Sequence, residues 1–288
     1  MIRLLHISTL ILLFLSACRR EEYVMDYGEM QIAVEGWIEE GEGARVLLSR
    51  SVPISELVDS SNFIVYAIRS AMVIVSDGVE NDTLRLRSAS QYLPPFLYMG
   101  DKVIGQTGGT YNLTIHYVNP TDLTRQTLTA TTTIQPSVPI KHVEYVREKS
   151  TDTTGKLRVD FTHPNDQHNY YQVATMIRGV DDIFVPCLYS NFNSQNFTSS
   201  DVQLNIVRGV SIYPKVNFDL HYHDGDTISV RLRTMTKEGF DFWNLWQNEI
   251  INAQNPIFPA NTSLKSNING GIGIWCGYGQ STMRVIAR

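Results

Sequence analysis

The sequence predicts a mainly β fold, with two tandem β-sandwich domains of immunoglobulin or transthyretin type, the second carrying one packed α-helix. Short runs rich in Val, Ile, Thr and Tyr follow one another along the chain, and each ends at Gly, Asp, Asn or Pro. Their number, about six per hundred residues, is typical of a sandwich. Pro136 and Pro139 interrupt the pattern, because proline stiffens the backbone and removes ladder donors. We therefore place the first sandwich at residues 28–136 and the second at residues 140–288.

The first 17 residues have the pattern of a cleaved signal peptide. Arg3 precedes a mostly apolar stretch, and Leu15-Ser16-Ala17-Cys18 forms a lipobox. The stretch is about a dozen residues long, whereas a helix needs about 20 to cross a bilayer. A chance cysteine after a signal sequence is the alternative. We expect cleavage before Cys18 and a covalent lipid on its thiol, which would attach the protein to a membrane without spanning it.

Residues 18–27 are predicted to be a lipidated tether, because the charged sequence Arg19-Arg20-Glu21-Glu22 cannot pack into a core. The predicted strands of the first sandwich are residues 31–38, 45–51, 71–76, 83–87, 111–117 and 127–134. Those of the second are residues 140–147, 157–162, 170–178, 202–207, 216–222, 227–234 and 282–287. Residues 54–69 are less regular, and a long loop and a short helix are both open there.

A helix is predicted near residues 240–253. Phe240, Trp243 and Trp246 recur at three-residue spacing, and Asn255-Pro256 ends the pattern. This helix is too short and too polar on its other face to cross a membrane. We expect it to pack across one end or edge of the second sandwich.

One hairpin can be registered from the alternation of apolar residues. Leu220 and Tyr222 share a strand face, as do Ile228 and Val230, and cross-strand partners must lie on the same side. Pairing Tyr222 with Asp226 satisfies this rule. It leaves a three-residue loop in which Gly225 takes the left-handed conformation.

The composition limits the class of partner. The chain has 43% hydrophobic residues, 18% charged residues and a formal charge of −5. This balance argues against a nucleic-acid partner, for which a basic face is expected, and leaves neutral and cationic ligands open. Apart from Cys18 there are two cysteines, Cys187 and Cys276, for which a disulfide and two buried free thiols are both open.

The familiar catalytic motifs are absent: there is no Gly-x-Ser-x-Gly elbow, no His-Glu-x-x-His helix and no phosphate loop. The glycines between residues 270 and 279 precede no predicted helix, so they indicate a tight turn and close backbone packing. His221 and His223, with Asp219 and Asp224, are the best metal candidates, but the predicted register points their rings apart. We therefore expect no metal, no cofactor besides the covalent lipid, and no enzymatic activity.

Two aromatic segments are candidates for binding a glycan or a peptide. One contains Tyr92, Phe96 and Tyr98 beside prolines, and the other contains Tyr189, Phe192 and Phe197 among Asn and Ser. Exposed aromatic rings beside amides provide a flat apolar surface with hydrogen-bonding groups. The alternative is that these rings fix long loops to the core.

The whole chain resembles the Bacteroidota outer-membrane lipoproteins that share domain of unknown function 4249. The residues that carry the resemblance are the lipobox at Cys18, Val34-Glu35-Gly36-Trp37-Ile38, Val73 to Gly78, Gly109-Thr110-Tyr111, Asn169-Tyr170-Tyr171 and Asn267 to Tyr278. The resemblance implies a location and a context, because members are often encoded beside TonB-dependent outer-membrane receptors. It supplies no catalytic residues. The charged stretch after Cys18 is similar to a surface-export signal of such lipoproteins, although a solvated linker explains it equally well.

Three functional hypotheses follow. The first is a non-catalytic surface lipoprotein that binds a ligand or a receptor for a TonB-dependent uptake system. The second is a structural or adhesion module, for which paired sandwiches are equally suitable. The third, and least favoured, is a hydrolase with an unrecognised site around His221.

Overall fold

The computed structural model describes residues 31–51, 63–149, 151–164, 166, 168–209, 219–252 and 264–288. The predicted signal peptide, Cys18 and the tether lie outside these residues. Within them, no helix combines the length and the apolarity that crossing a bilayer requires.

Strands dominate the described part of the chain. Those of the first half are β1 (Ile32–Glu39), β2 (Gly43–Arg50), β3 (Met72–Ser76), β4 (Asn81–Thr83), β5 (Arg85–Ser88), β6 (Phe96–Ile104), β7 (Thr110–Val118) and β8 (Arg125–Thr133). Those of the second half are β9 (Ile140–Arg147), β10 (Thr154–Thr162), β11 (Tyr170–Ile177), β12 (Val185–Asn193), β13 (Asp201–Ile206), β14 (Tyr222–His223), β15 (Thr227–Met235) and β16 (Ile272–Ile286). The helix α1 spans Lys237–Asn252, and short 3-10 helices span Phe63–Tyr66 and Ser194–Asn196.

The strands form one large sheet and two small ones. The eight-stranded sheet has the order β12-β11-β15-β16-β1-β2-β6-β5. A four-stranded sheet, β4-β3-β7-β8, encloses a core with one part of it, and the sheet made by β9, β10, β13 and β14 encloses a second core with the other part. The predicted mainly β, sandwich-like fold is confirmed.

The last strand belongs to both sandwiches. The first half of β16 runs parallel to β1, and its second half runs antiparallel to β15. Trp275 is fully buried in the first core, where its indole N–H donates to the backbone carbonyl of Tyr111 at 3.0 Å. Ala287 lies in the second core. The assignment of every residue after 140 to the second sandwich is therefore wrong for the start of β16.

Glycines allow this strand to run so close to its neighbours. Gly273 has a φ of +120°, and a side chain there would meet the carbonyl oxygen of Val34. At Gly279, an added Cβ would lie 2.1 Å from the carbonyl oxygen of Gln135, in the linker between the two cores. The interpretation of this segment as close backbone packing is consistent with these contacts.

The helix α1 begins three residues earlier than predicted, because Thr236 caps it. The Thr236 hydroxyl accepts a hydrogen bond from the backbone N–H of Gly239 at 3.4 Å. The helix then packs on the outer face of the eight-stranded sheet, where Gly239 lies directly against Cys276: an added Cβ would be 2.5 Å from the Cys276 sulfur.

The predicted hairpin register is wrong. Tyr222 pairs with Gly155 of β10, whereas β15 pairs with β11 and β16, so β14 and β15 belong to different sheets. The alternation of apolar residues shows which face of a strand is buried, but it does not show which strand pairs with it. Tyr222 is fully buried, and it packs in the second core. Gly225 nevertheless takes the left-handed conformation, with a φ of +89°.

Three further elements differ from the prediction. The single strand predicted at residues 83–87 is two strands, β4 and β5, in different sheets, because the buried Leu84 lies between them. Strands β6 and β12 were not predicted at all, although parts of both were considered as binding segments.

Candidate functional site

The candidate site lies on the outer face of the eight-stranded sheet, along β1. Side chains of a strand alternate between faces, and Val34 and Ile38 point into the first core. The intervening residues Glu35, Trp37 and Glu39 therefore point to the opposite face.

Two structures flank this row of side chains. On one side, the segment before β6 places Tyr92 against the buried Leu47 and Leu97. On the other, the first turns of α1 pack on Cys276 and Tyr278 of β16. Trp37 packs against both groups, so it lies between them. We call this surface, formed by Glu35, Trp37 and Tyr92, the trough.

An ion cluster lies beside the trough, around Glu39 on the same face of β1. The Glu39 carboxylate, only 2% exposed, accepts hydrogen bonds from Arg233 at 2.7 Å and from Arg231 at 3.0 Å. Burial opposes the charge of Glu39, but the two guanidinium groups outweigh it and lower the pKa of the carboxyl below its usual value. Burial also lowers the pKa of Arg231, whose guanidinium lies 3.8 Å from the centre of the Phe184 ring.

The second arginine of the cluster is held from several sides. Arg233 donates to the side-chain oxygen of Gln172 at 3.3 Å and lies 4.8 Å from the centre of the Tyr278 ring. The Tyr278 hydroxyl in turn accepts a hydrogen bond from the indole of Trp243 on α1 at 2.7 Å. The opposite charge of Glu39 outweighs burial here and raises the pKa of Arg233. The cluster therefore also connects α1 to the sheet.

Glu35 differs from Glu39 because no arginine of the described residues forms an ion pair with it. Its cross-strand neighbours are Leu47 on β2 and Ile274 on β16, both buried and apolar. Solvent reaches the Glu35 side chain, yet protein surrounds its carboxyl closely enough that desolvation, only partly opposed by Arg233, raises its pKa to about 7. The exposed side chain is open to a ligand from solvent. Among the described residues, Glu35 has no hydrogen-bond partner.

Tyr92 completes the trough. Its ring centre lies 5.8 Å from that of Trp37, with the ring planes tilted by 41°. Burial raises the pKa of the Tyr92 hydroxyl, with smaller effects from Glu35, Glu39, Arg45 and Arg233, which places this hydroxyl within electrostatic range of them. Within the described part of the chain, no hydrogen bond engages the Tyr92 side chain.

The other predicted aromatic candidates are mostly structural. Tyr98 is 2% exposed, and its hydroxyl donates to the carbonyl of Ile68, so its prediction as a binding residue is wrong. Phe96 is half-buried and lies 5.2 Å from the guanidinium of Arg69. Phe192 and Phe197 pack against the second core. For these four residues, attachment of a segment to the core explains the ring.

Tyr189 is the exception, because 65% of it is exposed. It has a φ of +52°, which is rare for a residue other than glycine. It lies in the stretch of β12 where the pairing with β11 shifts register. Ser190 stabilises this bulge by donating to the carbonyl of Cys187 at 2.6 Å.

The two histidines proposed as weak metal ligands converge on one carboxylate. His221 and His223 lie 3.1 Å and 2.8 Å from the two oxygens of Asp219, although the predicted register had their rings pointing apart. Both imidazoles are exposed, and hydrogen bonding from the backbone N–H of His221 contributes most to the lowered pKa of Asp219. Across the described residues, no group of three or more His, Cys, Asp or Glu side chains could hold a metal ion.

Cys187 and Cys276 are buried free thiols, so the alternative of a disulfide between them is not realised. Cys187 belongs to the second core, beside Thr175 and Tyr222, whereas Cys276 lies under α1. Burial raises the pKa of Cys187 to about 11 and that of Cys276 to about 12. Neither thiol is therefore suited to act as a nucleophile.

A depression with a volume of about 540 Å³ lies at the end of the second sandwich. Its lining is polar and includes His163, Asp166 and His168, which the sequence groups beside Pro164. His163 is buried and forms a 2.8 Å hydrogen bond with the Tyr171 hydroxyl, and His168 forms one of 2.7 Å with Asn193. These contacts connect the loops at this end of the sandwich, and they give the histidines a structural role.

Of the three trough residues, the sequence analysis named only Tyr92 as a candidate for binding. Glu35 and Trp37 were noted only as part of a family pattern, and Arg231 and Arg233 only as part of a strand. The available signal was the placement of charged residues at alternate positions of strands that are otherwise rich in buried side chains.

Comparison with known proteins supports the family and adds no activity. No curated protein matches the chain. Among solved structures, the crystal structure of the chicken CNTN1 FN1-FN3 domains aligns with 90% of this chain and 67% of that chain, at 11% identity and a TM-score of 0.25. A family model matches residues 20–284, nearly the whole length. The chain therefore belongs to the family defined by domain of unknown function 4249.

Proposed function

We propose that this protein is a non-catalytic, lipid-anchored binding protein of the outer membrane, an accessory component of a TonB-dependent uptake system. The trough is the observation that carries the binding role. It combines an unpaired carboxyl with two aromatic rings on a sheet that the ion cluster and α1 hold in place. Such a preorganised surface favours binding, because few groups must be ordered when the ligand arrives.

The chemistry of the described residues also supports binding over catalysis. The buried thiols have raised pKa values, and the exposed histidines are paired with Asp219. Lipid attachment at Cys18 and the uptake context rest on the lipobox and on the resemblance described above. They remain part of the proposal.

Affinity capture of the tagged native lipoprotein from mildly solubilised outer membranes tests the uptake role. We expect a stoichiometric TonB-dependent receptor among the captured proteins and reduced uptake when the gene is deleted. Recovery of the protein alone, together with unchanged uptake in the deletion strain, would refute the accessory role.

Metabolic labelling with an alkyne fatty acid tests the anchor separately. We expect label on the wild-type protein and none on the Cys18→Ala variant, which should leave the membrane fraction. Equal labelling of both proteins would show that the lipid is attached elsewhere.

A further inference from the structure

We infer that the trough binds an organic cation, either a protonated amine or a quaternary ammonium group, with Glu35 as its counter-ion and Trp37 and Tyr92 as its aromatic contacts. This inference rests on the proposed binding function and names the ligand class for it. Three observations support it. The Glu35 carboxyl has no hydrogen-bond partner among the described residues, two aromatic rings lie near it, and the nearby arginines already form ion pairs with other acidic residues.

The Glu35 carboxyl forms no ion pair with any described residue. It lies between the apolar side chains of Leu47 and Ile274 and forms no hydrogen bond to any described residue. Neither cross-strand neighbour supplies an opposite charge, and a cation within about 4–6 Å favours the charged form of a carboxylate. A bound ammonium group would supply that charge.

The two aromatic rings favour a cation over other ligands. The faces of Trp and Tyr rings carry partial negative charge, which attracts a cation within about 6 Å of the ring centre. The ring centres of Trp37 and Tyr92 lie 5.8 Å apart, and Trp37 follows Glu35 by two residues on the same face of β1. A carboxylate beside two such rings is the arrangement that recognises ammonium groups.

The arginines near the trough already have acidic partners. Arg231 and Arg233 bind Glu39, and Arg45 forms a 3.0 Å ion pair with Glu42. An anionic ligand would therefore have to displace an existing partner and would face the charge of Glu35. A neutral sugar could form hydrogen bonds with Glu35, but its affinity would depend little on the charge of this carboxyl.

The inference predicts how affinity depends on pH. Arg233 on β15 and Tyr92 act electrostatically with Glu35, and Arg45 on β2 and Glu39 on β1 act on the same Tyr92 hydroxyl. Cys276 and Tyr278 on β16 belong to the cluster against which Trp37 packs. Burial raises the pKa of Glu35 to about 7, so part of the population is protonated at neutral pH. The affinity for a permanent cation should rise about tenfold per pH unit below 7 and level off above it.

Isothermal titration calorimetry with the detergent-solubilised lipoprotein tests the inference, with choline and n-butylamine as probes. At pH 8 we expect both to bind, and the Glu35→Gln variant to bind at least tenfold more weakly. The matched control is Glu80→Gln, which removes an exposed carboxyl in the turn between β3 and β4. It should bind as the wild type does.

A second measurement follows the Glu35 carboxyl itself by carbon-13 NMR. Saturating choline should lower the pH at which this carboxyl titrates, while methyl glucoside should leave it unchanged. The inference is overturned if neither cation binds, if Glu35→Gln binds them with unchanged affinity, or if only the neutral glycoside shifts the Glu35 signal.

The outcomes separate this inference from the proposed function. Capture of a TonB-dependent receptor without any cation binding would support the uptake role and refute the ligand class. Cation binding that requires Glu35, without receptor capture or an uptake defect, would support the ligand class and refute the uptake role.

Discussion

The Glu39 carboxylate accepts a 2.7 Å hydrogen bond from Arg233, a residue 194 positions further along the chain. The two residues come from strands on opposite sides of β16, one in each half of the protein. Their ion pair is almost entirely removed from solvent, and it therefore holds the two sandwiches in a fixed relation along the shared sheet.

Replacing Glu39 should destabilise the protein strongly. Glu39→Gln leaves the guanidinium groups of Arg231 and Arg233 without a counter-ion in a buried site, which typically costs about 3–5 kcal/mol. Urea unfolding at pH 7 measures this loss. Glu42→Gln is the control, because it breaks the more exposed pair with Arg45 and should cost at most about 1 kcal/mol. Equal effects of the two variants would contradict the importance of the cluster.

The Glu39 effect should also depend on pH. The pKa of this carboxyl is lowered in the folded protein, so its stabilising contribution is present above the pKa of the unfolded chain and is lost as the pH falls through the folded value. The difference in unfolding free energy between wild type and Glu39→Gln should therefore shrink below about pH 4.5. A difference that stays constant down to pH 3 would exclude an origin in the charge of Glu39.

Glu35 should behave in the opposite sense. Its folded-state pKa is about 7 and its ordinary value is 4.5, so the folded protein binds more protons than the unfolded chain between these values. Stability should therefore fall as the pH rises through this window. Glu35→Gln should be more stable than the wild type at pH 8 and equally stable at pH 4 in thermal melts, whereas Glu80→Gln should match the wild type at both. A Glu35→Gln variant that is less stable at pH 8 would show that the carboxylate has a partner.

The contact between Gly239 and Cys276 should make a larger residue in the helix unfavourable. An added Cβ at position 239 would lie 2.5 Å from the buried sulfur, and overpacking of this kind costs about 1–3 kcal/mol. Alanine otherwise favours a helix over glycine by about 1 kcal/mol. Removal of the sulfur in Gly239→Ala/Cys276→Ala should therefore recover stability relative to Gly239→Ala. A double-mutant cycle in urea measures this coupling, and additive effects would show that the contact does not matter.

The thiols of Cys187 and Cys276 should be unreactive in the folded protein. Both are buried and their pKa values are raised to about 11 and about 12, so almost no thiolate is present at pH 8. Ellman's reagent should react slowly with native protein and should detect both thiols after unfolding in urea. Failure to detect them after unfolding without reductant would indicate a disulfide.

Much of the fold could be predicted from the sequence, because most strands are short, rich in β-branched residues and separated by turn residues. Strands such as β1, β7 and β15 lie within a residue or two of their predicted bounds. Strands β6 and β12 could not be identified in this way. Gly100 and Asp101 interrupt the pattern of the first, and Ser190, Asn191 and Asn193 give the second the composition of a loop.

The candidate site was harder to predict than the fold. Glu35 and Arg233 come together only because β16 lies between β1 and β15, and local patterns do not specify which distant strands pair. The predicted pairing of Tyr222 with Asp226 failed for the same reason. The aromatic candidates were chosen for their composition, which does not distinguish a ring on a surface, such as Tyr189, from a ring in the core, such as Tyr98.

The shared strand β16 also limits the order in which the chain can mature. Since β1 pairs with β16 and Trp275 fills the first core, the amino-terminal half remains incomplete until β16 has been synthesised. Until then, one edge of β1 and the apolar side chains that surround Trp275 in the first core are open to water. Partly folded chains that expose such surfaces are prone to aggregate. Addition of the fifteen-residue strand β16 is therefore the step that completes the first core.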